Sequence, residues 1–162
     1  MRPASLLILL ACLAAVPALA LAARTDPGHL SISDGRGLVT VKGRGTVIGR
    51  VDVGRVTVTD LTPADATEPL IFNCDQEAFR GSATVCTGDK LRFRMVGGGW
   101  KIQIAGSGID LSAAARGTVF MSGDSHRPGV YSVTGVDCRT EAQECLPLPW
   151  EPTTIVLAPL EP

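Results

Sequence analysis

The chain has 162 residues, with 15 Lys and Arg against 16 Asp and Glu, and five cysteines. A formal net charge of −1 supplies neither the cationic field that nucleic-acid binding draws on nor an acidic tail, and 4% aromatic residues are too few for a base- or sugar-stacking platform. The length is enough for one domain with its own core.

Arg2 is followed by the apolar run SLLILLACLAAVPALALAA, which ends in small residues with A-x-A sites at Ala18-Leu19-Ala20 and Ala20-Leu21-Ala22. Residues 1–22 therefore read as a secretory signal peptide, and the protein as secreted or extracytoplasmic. Two rivals are a retained membrane anchor, against which Pro17 and the small-residue end speak, and a lipoprotein cut at Cys12, against which the continued apolar run speaks. With Cys12 gone, Cys74, Cys86, Cys138 and Cys145 remain, an even count that reads as two disulfides. Three pairings are possible, and the spacings favour Cys74 with Cys86 and Cys138 with Cys145. No CxxC occurs and only His29 and His126 are present, so no metal or other cofactor is expected.

Residues 23–29 read as a flexible leader and 30–136 as an all-β domain. Short strands are expected at Leu30–Ser33, Leu38–Lys42, Val47–Val53 and Val56–Val58, where apolar residues recur every second position, with a turn at Asp34-Gly35-Arg36-Gly37. Gly43 to Gly49 follows a strand, as a dinucleotide fingerprint does, but leads into another strand instead of a helix, so it reads as a structural turn. From Ala66 to Asp89 the pattern is weak, with short strands at Leu70–Asn73 and Ala83–Cys86.

Lys90 to Ala105 is the most legible stretch. Leu91, Phe93 and Met95 alternate before Gly97-Gly98, and Trp100, Ile102 and Ile104 alternate after it. A two-residue hairpin loop there sets Met95 opposite Trp100, Phe93 opposite Ile102 and Leu91 opposite Ile104, with all six on one face. Ser112 to Ala115 is too short to nucleate a helix and reads as a break between strands. Residues 137–162 form a disulfide loop and a tail whose prolines exclude a central strand, leaving an edge strand at Thr154–Ala158.

Leu38–Asp60 overlays Lys101–Gly123 without a gap at an offset of 63 residues, Gly43 on Gly106 and Gly54 on Gly117. The expected architecture is thus a compact antiparallel β-sandwich or bent barrel built from two halves of similar plan that pack face to face. A short β-solenoid is the runner-up.

Two candidate sites follow. In the expected hairpin Lys90, Arg92, Arg94 and Lys101 project away from the core, with Arg94 directly across from Lys101, and opposed like charges call for an anion to meet them. Such a patch suits an anionic envelope polymer, lipid headgroups or a partner protein. Asp124, Ser125 and His126 bring three catalytic residue types together, although adjacent residues seldom achieve triad geometry and no GxSxG elbow is present. Glu141 and Glu144 lack the cleft that a carboxylate pair needs. The function expected is that of an exported noncatalytic β-domain, an envelope or extracellular binding or structural accessory protein. A secreted hydrolase acting through Asp124, Ser125 and His126 is the alternative.

Overall fold

The computed structural model describes residues 26–65 and 67–158. The expected signal peptide, Cys12 and the last four residues lie outside the described residues. The strands are β1 (Gly28–Asp60), β2 (Leu70–Phe72), β3 (Gln76–Arg80), β4 (Ala83–Met95), β5 (Gly99–Gly123), β6 (Val130–Ser132), β7 (Leu146–Pro147) and β8 (Thr153–Ala158), with one 3-10 turn at Ala142–Glu144. All eight strands belong to one sheet, whose main path runs β2-β4-β1-β5-β8. Every pairing is antiparallel, unlike the parallel coils of a solenoid.

The frame is the pair β1 and β5, of 33 and 25 residues. At about 3.3 Å per residue a straight β1 would span about 110 Å, far beyond the width of a domain this size, so it has to bend. The pairing shows how. Ile102 has both Val41 and Val58 as partners, Ile104 both Val39 and Val56, and Ala115 both Gly28 and Gly45. A straight strand borders its neighbour on one side only; a strand that borders it on both sides is wound around it. β1 and β5 therefore coil about each other, and the single sheet, its path open from β2 to β8, curls over one interior. This explains how a sheet with no α-helix packed on it among the described residues buries an entire face. Leu30, Val39, Val51, Leu91, Phe93, Trp100, Ile104 and Met121 all belong to one buried cluster.

Glycine pairs make the winding possible. Gly43 stands opposite Gly117 and Gly54 opposite Gly106, and a Cβ on either Gly54 or Gly106 would lie 2.9 Å from the other's Cα. The backbones touch there, and no side chain fits between them. The 63-residue offset exchanges these two pairs, and likewise turns Val39 opposite Ile104 into Val41 opposite Ile102. The two halves of similar plan are therefore β1 and β5 themselves. They interleave as neighbours within one sheet, and the expected compact antiparallel all-β architecture holds.

Three expectations need correction. The strands expected separately between residues 30 and 58 are one continuous strand, and Asp34 to Gly37 is an irregularity inside it, where the register with β5 shifts after Ile32. Ser112 to Ala115 is likewise strand, its small side chains lying where β1 passes on both sides. The chain does turn at Gly97 and Gly98, both in left-handed conformation, but β4 and β5 do not pair there. β1 lies between them, so Met95 meets Val47, Phe93 meets Gly49 and Leu91 meets Val51. All six apolar side chains are nevertheless buried. Alternation determines the face a residue takes, and here a distant valine-rich strand competes successfully for the partner.

The tail adds strands at the edges. β8 pairs only with β5, at the end of the path, and β7 pairs with β6, which pairs in turn with Ser31 to Ser33 of β1. The sheet thus extends past residue 136. Disulfides join Cys74 to Cys86 and Cys138 to Cys145. Two of them indicate an oxidising, extracytoplasmic environment. Among the described residues no helix is long and apolar enough to cross a membrane.

Candidate functional site

The coiled sheet turns one face outward, and across part of it four strands align side chains in two rows. Phe72 of β2, Arg92 of β4, Arg50 of β1 and Asp110 of β5 occupy successive cross-strand positions, and Leu70, Arg94, Ile48 and Ser112 form the row beside them. The alternation that buries Leu91, Phe93 and Met95 is what points Arg92 and Arg94 outward. Above the rows hangs Arg139, the residue after Cys138. Its position is set from below, because Cys138 is fully buried and its N–H donates to Ser31 Oγ at 3.0 Å. Arg50, Arg92, Arg94 and Arg139 line an open groove of about 900 Å³, with Asp110 at its side and Phe72, 52% exposed, at its rim.

The charges in the groove are unevenly matched. Asp110, whose side chain is 13% exposed, accepts from Arg50 Nε at 2.7 Å and from the Asp34 N–H at 2.9 Å. Arg139 donates from Nε and Nη2 to the two carboxylate oxygens of Asp137 at 3.1 and 2.9 Å. That fork and the Arg139 N–H pull the Asp137 carboxyl down to about 2, and the same hydrogen bonds raise the Arg139 guanidinium. Arg92 and Arg94 are exposed and, among the described residues, have no hydrogen bond or ion pair. Arg92 stands directly opposite Arg50, a repulsive arrangement on a sheet unless an anion lies between the two.

The structure places the four members of the expected basic patch in different surroundings. Arg92 and Arg94 are brought together in the groove. Lys101 is not with them: it lies opposite Lys42 and Thr59, because β1 separates β4 from β5. Lys90 is level with Asp52 at the end of the rows, and its carbonyl accepts from Asn73 Nδ2 at 2.8 Å. Arg50, Asp110 and Arg139 were not singled out by the sequence. Arg50 does show the outward phase of its strand, but nothing in the sequence places it beside β4.

Asp124, Ser125 and His126 are adjacent in a loop after β5. His126 Nδ1 lies 3.0 Å from Ser125 Oγ and 3.9 Å from Asp124 Oδ1, so hydroxyl and carboxylate address the same ring nitrogen. A catalytic imidazole takes the serine proton on one nitrogen and is held by the carboxylate through the other. The His126 side chain is 91% exposed. Asp124 instead caps its turn, accepting the N–H groups of His126 at 2.8 Å and Arg127 at 3.3 Å, and these bonds hold its carboxyl below the usual range. Among the described residues no cluster of His, Cys, Asp or Glu is arranged to hold a metal.

No protein-family model, curated protein or solved structure matches the chain. The functional reading therefore rests on this geometry.

Proposed function

We propose that this is an exported, noncatalytic β-domain that acts in the envelope or outside the cell by holding an anionic group of its ligand in the arginine groove. The observation that carries the reading is the pair Arg92 and Arg94, exposed and unpartnered beside Arg50 in a concave surface. Guanidinium groups are suited to this role because their planar forks bind carboxylate and phosphate bidentately. Export is supported by Arg2, the apolar run and the A-x-A sites that follow it, together with the two disulfides. The hydrolase reading draws no support from His126, whose ring is exposed and addressed twice on one nitrogen.

Retention on an anionic resin as salt is raised tests the proposal. The double variant Arg92→Ser, Arg94→Ser is expected to elute at clearly lower salt than the parent. A control with the same charge change, Lys42→Ser with Lys101→Ser, is expected to elute later than that variant, because those lysines lie on another part of the sheet. Equal elution of the two double variants would show that overall charge and not the groove is responsible, and would overturn the reading.

A further inference from the structure

The charges around the groove also bear on what kind of anion fills it. Two of its four guanidiniums are matched one for one, Arg50 by Asp110 and Arg139 by Asp137. The uncompensated charge is that of Arg92 and Arg94, two positions apart on one face of β4 and so about 7 Å apart at their Cα atoms. The surroundings keep this charge local. Along β4 in one direction Lys90 is level with Asp52 and is preceded by Asp89; in the other the chain reaches Val96 and the Gly97-Gly98 turn. Across the strands the row ends at Asp110 on one side and at Phe72 on the other. A polymer with a charge on every unit finds a basic track no longer than Lys90 to Arg94 here. A single compact group carrying close to two negative charges finds two free forks, with a third arginine beside them.

We propose that the groove recognises a phosphomonoester. Such a group carries about −1.5 to −2 charge near pH 7 and offers three strong acceptor oxygens. It satisfies Arg92 and Arg94 at once and relieves their repulsion with Arg50, while the rest of the molecule lies against the exposed side chains of Phe72 and Ile48. This assignment rests on the arginine groove being the binding site, and the test separates the two claims.

The probe is phenyl phosphate, titrated into the isotopically labelled protein while backbone amide shifts are followed, with benzenesulfonate as a monoanion of similar shape. Phenyl phosphate is expected to move the amides of residues 92–94 and 48–50. Its affinity is expected to rise about tenfold from pH 5 to pH 7, because the second phosphate ionisation lies near pH 6. Neither His29 nor His126 lines the groove: its charged groups are arginines and the Asp110 carboxylate, with Asp137 against Arg139 and with Lys90, Asp52 and Asp34 nearby. Benzenesulfonate is expected to bind more weakly at pH 7 and without pH dependence. Arg92→Ser with Arg94→Ser is expected to abolish the shifts while leaving the remaining spectrum folded, and Arg92→Lys to give intermediate affinity. Equal, pH-independent binding of the two probes overturns the phosphomonoester and leaves the groove standing; absence of groove shifts with either probe overturns both. A lipid-borne source predicts co-flotation with phosphatidylcholine vesicles containing phosphatidic acid, and a sugar-borne source predicts that glucose 6-phosphate moves the same amides without flotation. Either result supports the phosphomonoester and identifies its carrier.

Discussion

Gly117 and Gly43 are cross-strand partners packed so closely that a Cβ added to Gly117 would lie 2.6 Å from the Gly43 Cα. Gly117 also has φ +142°, a conformation that side-chain-bearing residues rarely adopt. Gly117→Ala is therefore expected to cost about 3 kcal/mol, from backbone strain together with the overlap. Gly81→Ala is the comparison: φ is +62° but nothing lies within 4 Å, so only the conformational cost of about 1 kcal/mol applies. Urea unfolding of both variants checks this, and equal losses would remove the argument that the two long strands are wound in contact.

Gly49 lies under the ring of Phe93, its partner on β4, and a Cβ there would overlap the ring. Gly49→Ala is expected to cost about 2 kcal/mol, as overpacking of a filled core usually does. Phe93→Leu alone loses buried ring contacts, but in the double variant the smaller side chain removes the overlap with the ring and leaves only the 2.7 Å approach of the methyl group to the Asp110 carbonyl oxygen. The double variant should thus be more stable than the sum of the single losses predicts, by about 1 kcal/mol. Simple additivity would mean that the ring moves aside freely.

These contacts mark the limit of what the sequence discloses. Phe93 and Trp100 share a buried face because period-two alternation determines which side of a strand a residue occupies, whatever lies next to that strand. The partner of Phe93 is not written locally. A hairpin closing at Gly97-Gly98 and the insertion of β1 satisfy the same alternation, and the choice between them depends on Val47, Val51 and Gly49, over 40 positions away. The same blindness affects the site. Arg92 and Arg94 are legible as outward residues of one strand, whereas Arg50 and Arg139 reach them only through long-range pairing and the anchoring of Cys138 on Ser31. The glycines at the 63-residue offset disclosed the relation between β1 and β5, because backbone contact leaves a compositional trace where side-chain packing does not.

Asp137 gives a pH prediction with a definite sign. Its carboxyl is lowered from 3.8 to about 2 by the Arg139 guanidinium and N–H. A carboxyl lowered on folding stabilises the folded state in full above its unfolded value, and that contribution is lost as pH falls toward the folded one. The stability that the Asp137–Arg139 clamp contributes should accordingly be lost as pH falls from about 4 to about 2, with the contact itself half released near pH 2. A carboxyl-detected titration is expected to place the Asp137 midpoint near 2. A midpoint at the ordinary aspartate value would mean that the fork is absent in solution.

The disulfide between Cys74 and Cys86 closes a separation of 12 residues and ties the β2–β3 edge to β4. Constraint of the unfolded chain by a loop this short is worth about 3 kcal/mol. Cys74→Ser is expected to lower stability by about that amount, with some further loss because it frees Cys86 as a fully buried thiol. Cys74→Ala with Cys86→Ala separates the two effects, and unfolding midpoints compared with and without reductant check both. Stability unaffected by reductant would show that the bond does not hold the edge.

Asp110 links the fold to the groove and sets the two in opposition. Its carboxylate accepts the Asp34 N–H where β1 is irregular, and it neutralises Arg50 beside the two unpartnered arginines. Asp110→Asn keeps an acceptor for the Asp34 N–H but removes the charge. The stability lost is expected to be about 1 kcal/mol, because Arg50 is largely exposed and such ion pairs are well screened. Binding should move the other way. With Arg50 no longer neutralised, the uncompensated charge of the groove rises from two guanidiniums to three, so elution from an anionic resin should require more salt than for the parent. A substitution that weakens the fold and tightens the site separates a screening role for Asp110 from a purely structural one. If retention fell together with stability, Asp110 would instead be needed to hold Arg50 in place, and the charge count on which the ligand assignment depends would have to include its carboxylate.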